Sequence, residues 1–152
     1  METPTSFKGH PLHPILVALP IGLFIFSFIS DIIYLAGWGT AVWQTVAFYD
    51  LAGGLICALI AAIPGLIDLI AISDPNLKRT GIIHMSLMLV SVFIFAVDFF
   101  VRLVGKTDGT APFVLSCLGI ATLLIGGWIG AKLVHVFGLT VRERPSYPTN
   151  VG

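Results

Sequence analysis

The amino-acid sequence predicts an all-α integral membrane protein, a four-helix bundle in which successive helices run up, down, up and down. Of the 152 residues, 57% are hydrophobic and only 11% are charged, which is more apolar than a soluble domain requires. The apolar residues also fall into four segments, each near the roughly 20 residues that a membrane-crossing helix needs. We therefore interpret residues 1–152 as a single transmembrane domain with both termini on one side. The helices are predicted at approximately 12–36, 43–72, 80–104 and 112–137, followed by a polar tail at 138–152.

The first segment begins in the stretch GHPLHPILVALPIG. It is too long for the core of a signal peptide and it contains Asp31, so we interpret it as a retained span. Proline is tolerated in the first turn of a helix, where we place Pro14. Pro20 and Pro64 fall inside predicted helices and are expected to kink them.

Three short connections follow: AGWGTA, SDPNLKRTG and GKTDGTAP. The last two carry residues typical of turns and helix ends, and connections this short make neighbouring helices antiparallel. Six of the eight lysines and arginines then lie at the end of the bundle that holds both termini, which the positive-inside rule places in the cytoplasm. These six are Lys8, Lys78, Arg79, Lys132, Arg142 and Arg144, against Arg102 and Lys106 at the other end. The formal net charge is zero, and the absence of a basic block argues against a nucleic-acid partner.

This topology brings all four histidines to the same end of the bundle. His10 and His13 open the first helix, His84 lies near the start of the third, and His135 lies at the end of the fourth. Asp68, near the end of the second helix, reaches the same level. The sequence therefore predicts one layer of ionisable side chains at the end that holds the termini.

A second polar layer is predicted at the opposite end, since residues five turns apart, about 18 positions, share a helix face. Asp98 and Arg102 are spaced to pair on one helix. Polar groups are costly in hydrocarbon, so this layer should face the bundle interior as a structural ion-pair network. Its predicted members are Asp31, Asp50, Asp98 and Arg102.

The histidine layer suggests a cofactor, because imidazole is the commonest metal ligand and a frequent axial ligand of haem iron. The four imidazoles could ligate one or two haem b groups. Alternatively, three imidazoles with Asp68 could bind a zinc or iron ion directly. Trp128 falls on the predicted inward face of the fourth helix, where it would pack against a bound ligand or fill the core.

The motifs GHPLHPILVALPIG, SFISD and AAIPGLIDLIAI, the histidine at His84 and the segment GGWIGAKLVHVFGLTV resemble a bacterial family of small four-helix membrane domains of unknown function. The resemblance covers nearly the whole chain and implies the bacterial cytoplasmic (inner) membrane. Members are sometimes joined to Rieske-type iron–sulfur domains, which implies an electron-transfer setting. The closing histidine of the family would stand at Phe137, whereas His135 stands two positions earlier, so His10, His13 and His84 carry more of the prediction.

The first functional hypothesis is a small cytochrome-b-like protein that exchanges electrons with a quinone or with a redox partner protein of Rieske or cytochrome type. A proton- or ion-conducting bundle and a structural subunit of a membrane complex are the alternatives. We find no nucleophile paired with a base and no phosphate-binding loop, so a self-contained enzyme is not expected. Homo-oligomerisation in the lipid bilayer is left open.

Overall fold

Four long apolar helices form the bundle in the computed structural model, which describes residues 4–8, 10–105 and 110–135. This confirms the predicted all-α four-helix membrane fold. The predicted polar tail at 138–152 and the residues Lys106, Phe137, Arg142 and Arg144 lie outside the described residues. The helices are α1 (Leu12–Leu16) and α2 (Ala18–Leu35), which together make the first span, α3 (Val42–Ala71), α4 (Pro75–Leu103) and α5 (Thr110–His135).

Proline explains two features of the helix boundaries. Pro20 has no N–H to donate to the carbonyl of Leu16, so the first span divides at Val17 between α1 and α2. The third span begins at Pro75, earlier than the predicted residue 80, because Asp74 caps it: its carboxylate accepts a hydrogen bond from the Leu77 N–H at 2.7 Å. A cap residue followed by proline is typical of a helix start. The connection between the second and third spans therefore ends at Asp74 and is shorter than predicted.

The helices pair into two hairpins. The first hairpin consists of α1, α2 and α3, and the second consists of α4 and α5; within each, the two spans pack extensively along their length. The Ser27 hydroxyl of α2 donates to the carbonyl of Ala47, near the start of α3, at 2.9 Å. In the second hairpin, the Ser91 hydroxyl donates to the carbonyl of Gly119 at 3.0 Å. Small residues at both contacts allow the helix backbones to approach closely.

Aromatic and aliphatic side chains fill the middle of the bundle. Phe24 and Phe95 stack with ring centroids 4.0 Å apart and planes 9° from parallel, and Leu51 and Leu123 complete the cluster. Leucine, isoleucine and phenylalanine side chains elsewhere on the helices are exposed, as expected of faces that contact lipid. The core therefore separates the two polar ends of the bundle.

Candidate functional site

Two of the four histidines meet at the centre of the bundle end. His13 lies in α1 and His84 in α4, both half-buried, with ring centroids 6.4 Å apart and planes at 79°. The Nδ1 atom of His13 is 2.8 Å from the Ala61 carbonyl oxygen of α3. In the same way, Nδ1 of His84 is 2.9 Å from the Gly126 carbonyl oxygen of α5. We call this region the histidine end.

The hydrogen bonds determine which tautomer each ring adopts in its neutral form. A carbonyl oxygen only accepts, so each Nδ1 carries the hydrogen and each Nε2 keeps a lone pair. An imidazole whose Nδ1–H donates to a backbone carbonyl is typical of a metal ligand, since that bond orients the ring and raises its basicity.

Glycine makes room for each imidazole. A Cβ atom at Gly65 of α3 would lie 2.7 Å from Cε1 and Nδ1 of His13. A Cβ atom at Gly130 of α5 would lie 2.7 Å from Cε1 of His84. Any larger residue at either position would displace the ring, so both glycines are part of the site. Neither glycine was predicted as a site residue from the sequence, although each lies one turn after the residue whose carbonyl binds the histidine.

The other predicted ligands do not join this pair. His10 is exposed, and its Nδ1 lies 3.2 Å from the carbonyl oxygen of Lys8. His135 is exposed at the end of α5. Among the residues that the structure describes, no group of three or more histidines, cysteines or carboxylates is arranged to hold a metal ion. The predicted layer is thus a central pair with separate residues around it.

Asp68 holds the N-terminal segment of the chain. Its carboxylate accepts hydrogen bonds from the Thr5 N–H at 3.1 Å and from the Thr5 hydroxyl, which lies 2.8 Å from both oxygens. The segment then forms a short antiparallel pair of strands, β1 (Ser6–Phe7) and β2 (His10–Pro11). The carboxylate that was predicted as a metal ligand is therefore already engaged within the protein.

Trp128 points away from the site. Its side chain is 72% exposed, so the prediction that it faces inward is wrong. Gly126 and Gly130 are the residues of α5 that face α4 and His84, and each helix residue turns the chain by about 100°. Trp128, two positions from either glycine, consequently lies on the opposite face, toward lipid.

The opposite end of the bundle holds a buried network around Arg102. The guanidinium donates to both carboxylate oxygens of Asp31, at 2.8 and 2.7 Å, and its Nε donates to Asp98 at 2.9 Å. The Ser116 hydroxyl lies 2.9 Å from an oxygen of each carboxylate. Bidentate geometry gives an arginine–carboxylate pair directional specificity as well as energy. We call this region the ion-pair end.

Asp50 does not belong to the network, contrary to the prediction, and Ser116 takes part in its place. Leu51 is the residue of α3 that faces the bundle core, and Asp50 is turned about 100° away from it. Within the described residues, Asp50 Oδ2 is buried without a hydrogen-bond partner. Ser116 was missed because the inward face of the fourth helix was predicted to include Trp128, which lies on a different face of that helix.

Comparison with known proteins gives a family and no further relatives. A family model described as "Predicted membrane protein (DUF2231)" matches residues 9–143. The match includes all four spans and both His13 and His84. Neither a curated protein nor a solved structure matches the chain.

Proposed function

Because the chain belongs to the DUF2231 family of predicted membrane proteins, we propose that it acts within the bilayer as a small cytochrome-b-like electron carrier that binds haem b through His13 and His84. The observation that carries the proposal is the pair of imidazoles whose Nδ1–H groups donate to the Ala61 and Gly126 carbonyls. Both Nε2 lone pairs are left for a ligand. Haem, when bound, would supply one-electron redox chemistry.

The number of converging ligands favours haem over a bare metal ion. Structural zinc takes four protein ligands and catalytic zinc takes three, whereas only His13 and His84 converge within the described chain. In a haem, the porphyrin supplies four of the nitrogens that bind the iron, so the protein needs to supply only the remaining one or two ligands. A pair of imidazoles is therefore sufficient for haem and insufficient for a zinc or iron ion.

The surrounding residues would orient and shield the group. The two carbonyl hydrogen bonds hold the imidazole planes nearly perpendicular, at 79°. Gly65 and Gly130 leave the space that the rings occupy. The stacked Phe24 and Phe95 lie about three helical turns further toward the bundle centre, in the apolar core that separates the site from the ion-pair end.

The orientation and the partners follow from the proposed role. Lys8, Lys78 and Arg79 flank the starts of the first and third spans, so the positive-inside rule puts the site near the cytoplasmic face of a bacterial inner membrane. A group at this depth could exchange electrons with a quinone from the bilayer or with a Rieske-type or cytochrome partner at the surface. Both termini would then lie in the cytoplasm.

A proton-conducting bundle is the less favoured role. The histidine end and the ion-pair end are separated by Phe24, Phe95, Leu51 and Leu123, of which Leu51 and Phe95 are completely buried. A proton relay needs ionisable or hydrated steps, and this apolar cluster provides none. Liposomes containing the purified protein should therefore show no proton flux above that of empty liposomes.

The proposal is tested by absorption spectroscopy of protein expressed with added haem precursor. Wild-type protein should show a Soret band, and His13→Ala and His84→Ala should each lose it or shift it to the form with one ligand missing. His10→Ala and His135→Ala are the matched controls and should retain the wild-type spectrum. Protein without a Soret band, or a band that depends on His10 and His135 alone, would overturn the proposal; zinc or iron found without porphyrin would replace it with the metal-ion alternative.

A further inference from the structure

We infer that the chain is a tandem repeat of one helical hairpin, whose two copies pack about a pseudo-twofold axis that runs along the membrane normal and passes between His13 and His84. The site on this axis therefore takes a single metal centre per chain, with one equivalent ligand from each copy. The second statement rests on the proposed function; the repeat itself does not.

The first helices of the two hairpins correspond at a fixed offset. Asp31 and Arg102, which form the bidentate ion pair, are separated by 71 residues. The same separation relates Phe24 to Phe95, whose rings stack at 4.0 Å. It also relates His13 to His84, whose rings meet at 6.4 Å. A residue that contacts its own equivalent is the signature of a twofold axis.

The second helices of the two hairpins, α3 and α5, correspond at a constant offset of 65 residues. Their contacts involve the same atoms in both hairpins. Ala61 and Gly126 are equivalent, and their carbonyls bind the Nδ1 atoms of the equivalent histidines. Gly54 and Gly119 are likewise equivalent. A Cβ atom at Gly54 would lie 2.6 Å from Cε1 of Phe24, and a Cβ atom at Gly119 would lie 2.6 Å from Cε1 of Phe95. Gly65 and Gly130, beneath the two imidazoles, follow the same offset.

Contacts between the hairpins repeat in both directions. Phe28 of α2 stacks on Phe113 of α5 at 5.8 Å with planes 12° apart. The equivalent residues, Phe99 of α4 and Phe48 of α3, stack at 4.9 Å and 20°. An interface in which residue i meets j and j meets i is isologous, the arrangement of a symmetric dimer. The two hairpins therefore pack as two copies of one unit do in a homodimer.

The axis constrains what the histidine end can bind. A group bound on the axis would be held by the same donor from each hairpin, His13 from the first and His84 from the second, which suits one metal centre rather than two. The second predicted ligand pair, His10 and His135, does not follow the repeat: the equivalent of His10 is Gly81, and the equivalent of His135 is Ile70. The repeat thus selects one haem per chain from the one or two that the sequence alone allows.

Haem stoichiometry and ligand equivalence test the site. Haem and protein concentrations of the purified, fully loaded chain should give a ratio of one. His13→Ala and His84→Ala should produce superimposable spectra, because each removes one of two equivalent ligands. Two haems per chain, or a spectrum that survives one substitution and not the other, would overturn the single-centre inference. Protein without haem would overturn it together with the proposed function, and the repeat is then decided by the second experiment.

An exchange of equivalent residues tests the repeat without reference to haem. The six-residue variant S27D/D31R/L51S/D98S/R102D/S116L moves the ion-pair end from one hairpin to the other. A pseudo-twofold axis predicts that this variant keeps a wild-type yield of monodisperse protein in detergent. The half exchanges S27D/D31R/L51S and D98S/R102D/S116L, which leave like charges facing each other, should lose most of that yield. A full exchange that is no better than either half would overturn the repeat.

Discussion

The two ends of the bundle differ in the residues that occupy equivalent positions of the two hairpins. At the ion-pair end the equivalent residues are Asp31 and Arg102, which carry opposite charges and bind each other at 2.7 Å. At the histidine end the equivalent residues are identical, and two Nε2 lone pairs cannot form a hydrogen bond with each other. The ion-pair end is therefore complete within the chain, whereas the histidine end has bonding capacity left for a third group.

This contrast separates a structural element from the proposed binding element. A buried ion pair adds little net stability over apolar residues of similar volume, because desolvation offsets its attraction. Its value lies in fixing which helix faces meet, since any rotation or slip would leave a charge alone in the core. We regard the ion-pair end as the register lock of the two hairpins and the histidine end as the site that this lock keeps in place.

Removing Arg102 should have the largest effect. Arg102→Leu leaves the carboxylates of Asp31 and Asp98 buried without a counter-charge, which should cost about 3–5 kcal/mol of unfolding free energy. Arg79→Leu, at an exposed arginine, is the control. Unfolding by sodium dodecyl sulfate in mixed micelles provides the measurement. Equal stability of the two variants would show that the network is not a register lock.

Glycine substitutions at the histidine end should come next. Gly130→Ala places a Cβ atom 2.7 Å from the His84 ring, and such overpacking should cost about 1–3 kcal/mol and weaken the hydrogen bond to Gly126. Gly127→Ala is the matched control on the same helix, since its Cβ atom would meet nothing within 4 Å. Haem retention and micellar unfolding would be compared. If Gly127→Ala were as harmful as Gly130→Ala, the predicted role of Gly130 in seating the ring would be contradicted.

The anchor of the N-terminal segment should be separable from the histidine pair. Asp68→Leu introduces the residue that stands at the equivalent position, Leu133, and removes the acceptor of the Thr5 hydrogen bonds. We expect trypsin to cleave after Lys8 faster than in wild type. The free energy of unfolding should fall by about 1–3 kcal/mol. Thr5→Val should have a smaller effect of the same kind, because the Thr5 N–H remains. Cleavage at the wild-type rate would mean that the anchor does not hold the segment.

The smallest effects should come from the two hydroxyl groups that join the helices within each hairpin. Ser27→Ala and Ser91→Ala each remove one hydroxyl that donates to a neighbouring helix, at a cost of about 0.5–1.5 kcal/mol each. Ser30→Ala serves as the control, because the Ser30 hydroxyl bonds within its own helix, to Phe26. Micellar unfolding of the three variants gives the comparison. A loss at Ser27→Ala and Ser91→Ala no greater than at Ser30→Ala would show that these bonds between helices do not stabilise the hairpins.

The membrane fold was predictable because its strongest signal is local. Runs of apolar residues long enough to cross the bilayer specify the four spans, and short connections specify their antiparallel order. The four-residue spacing of Asp98 and Arg102 likewise identified a pair that the structure shows. Such features depend on neighbours within one or two turns, which the sequence displays directly.

Other features depend on helix rotation or on distant contacts, which sequence displays poorly. An error of one residue rotates a helix face by about 100°, which is why Asp50 was placed in the network although its neighbour Leu51 faces the core. The bond between Thr5 and Asp68 joins residues 63 positions apart and requires the N-terminal segment to fold back. The two copies of the repeat share few identical residues, so the repeat is more evident from the contacts between side chains than from sequence identity.

The location of Asp98 bears on how the protein enters the membrane. An arginine within a membrane span is costly to insert without a counter-charge, and Asp31, on the first hairpin, is a partner only after the hairpins assemble. Asp98 lies one turn before Arg102 on the same helix and binds it at 2.9 Å. The second hairpin therefore contains a counter-charge for Arg102 while it inserts into the membrane. Asp31 adds its hydrogen bonds to Arg102 when the two hairpins pack together.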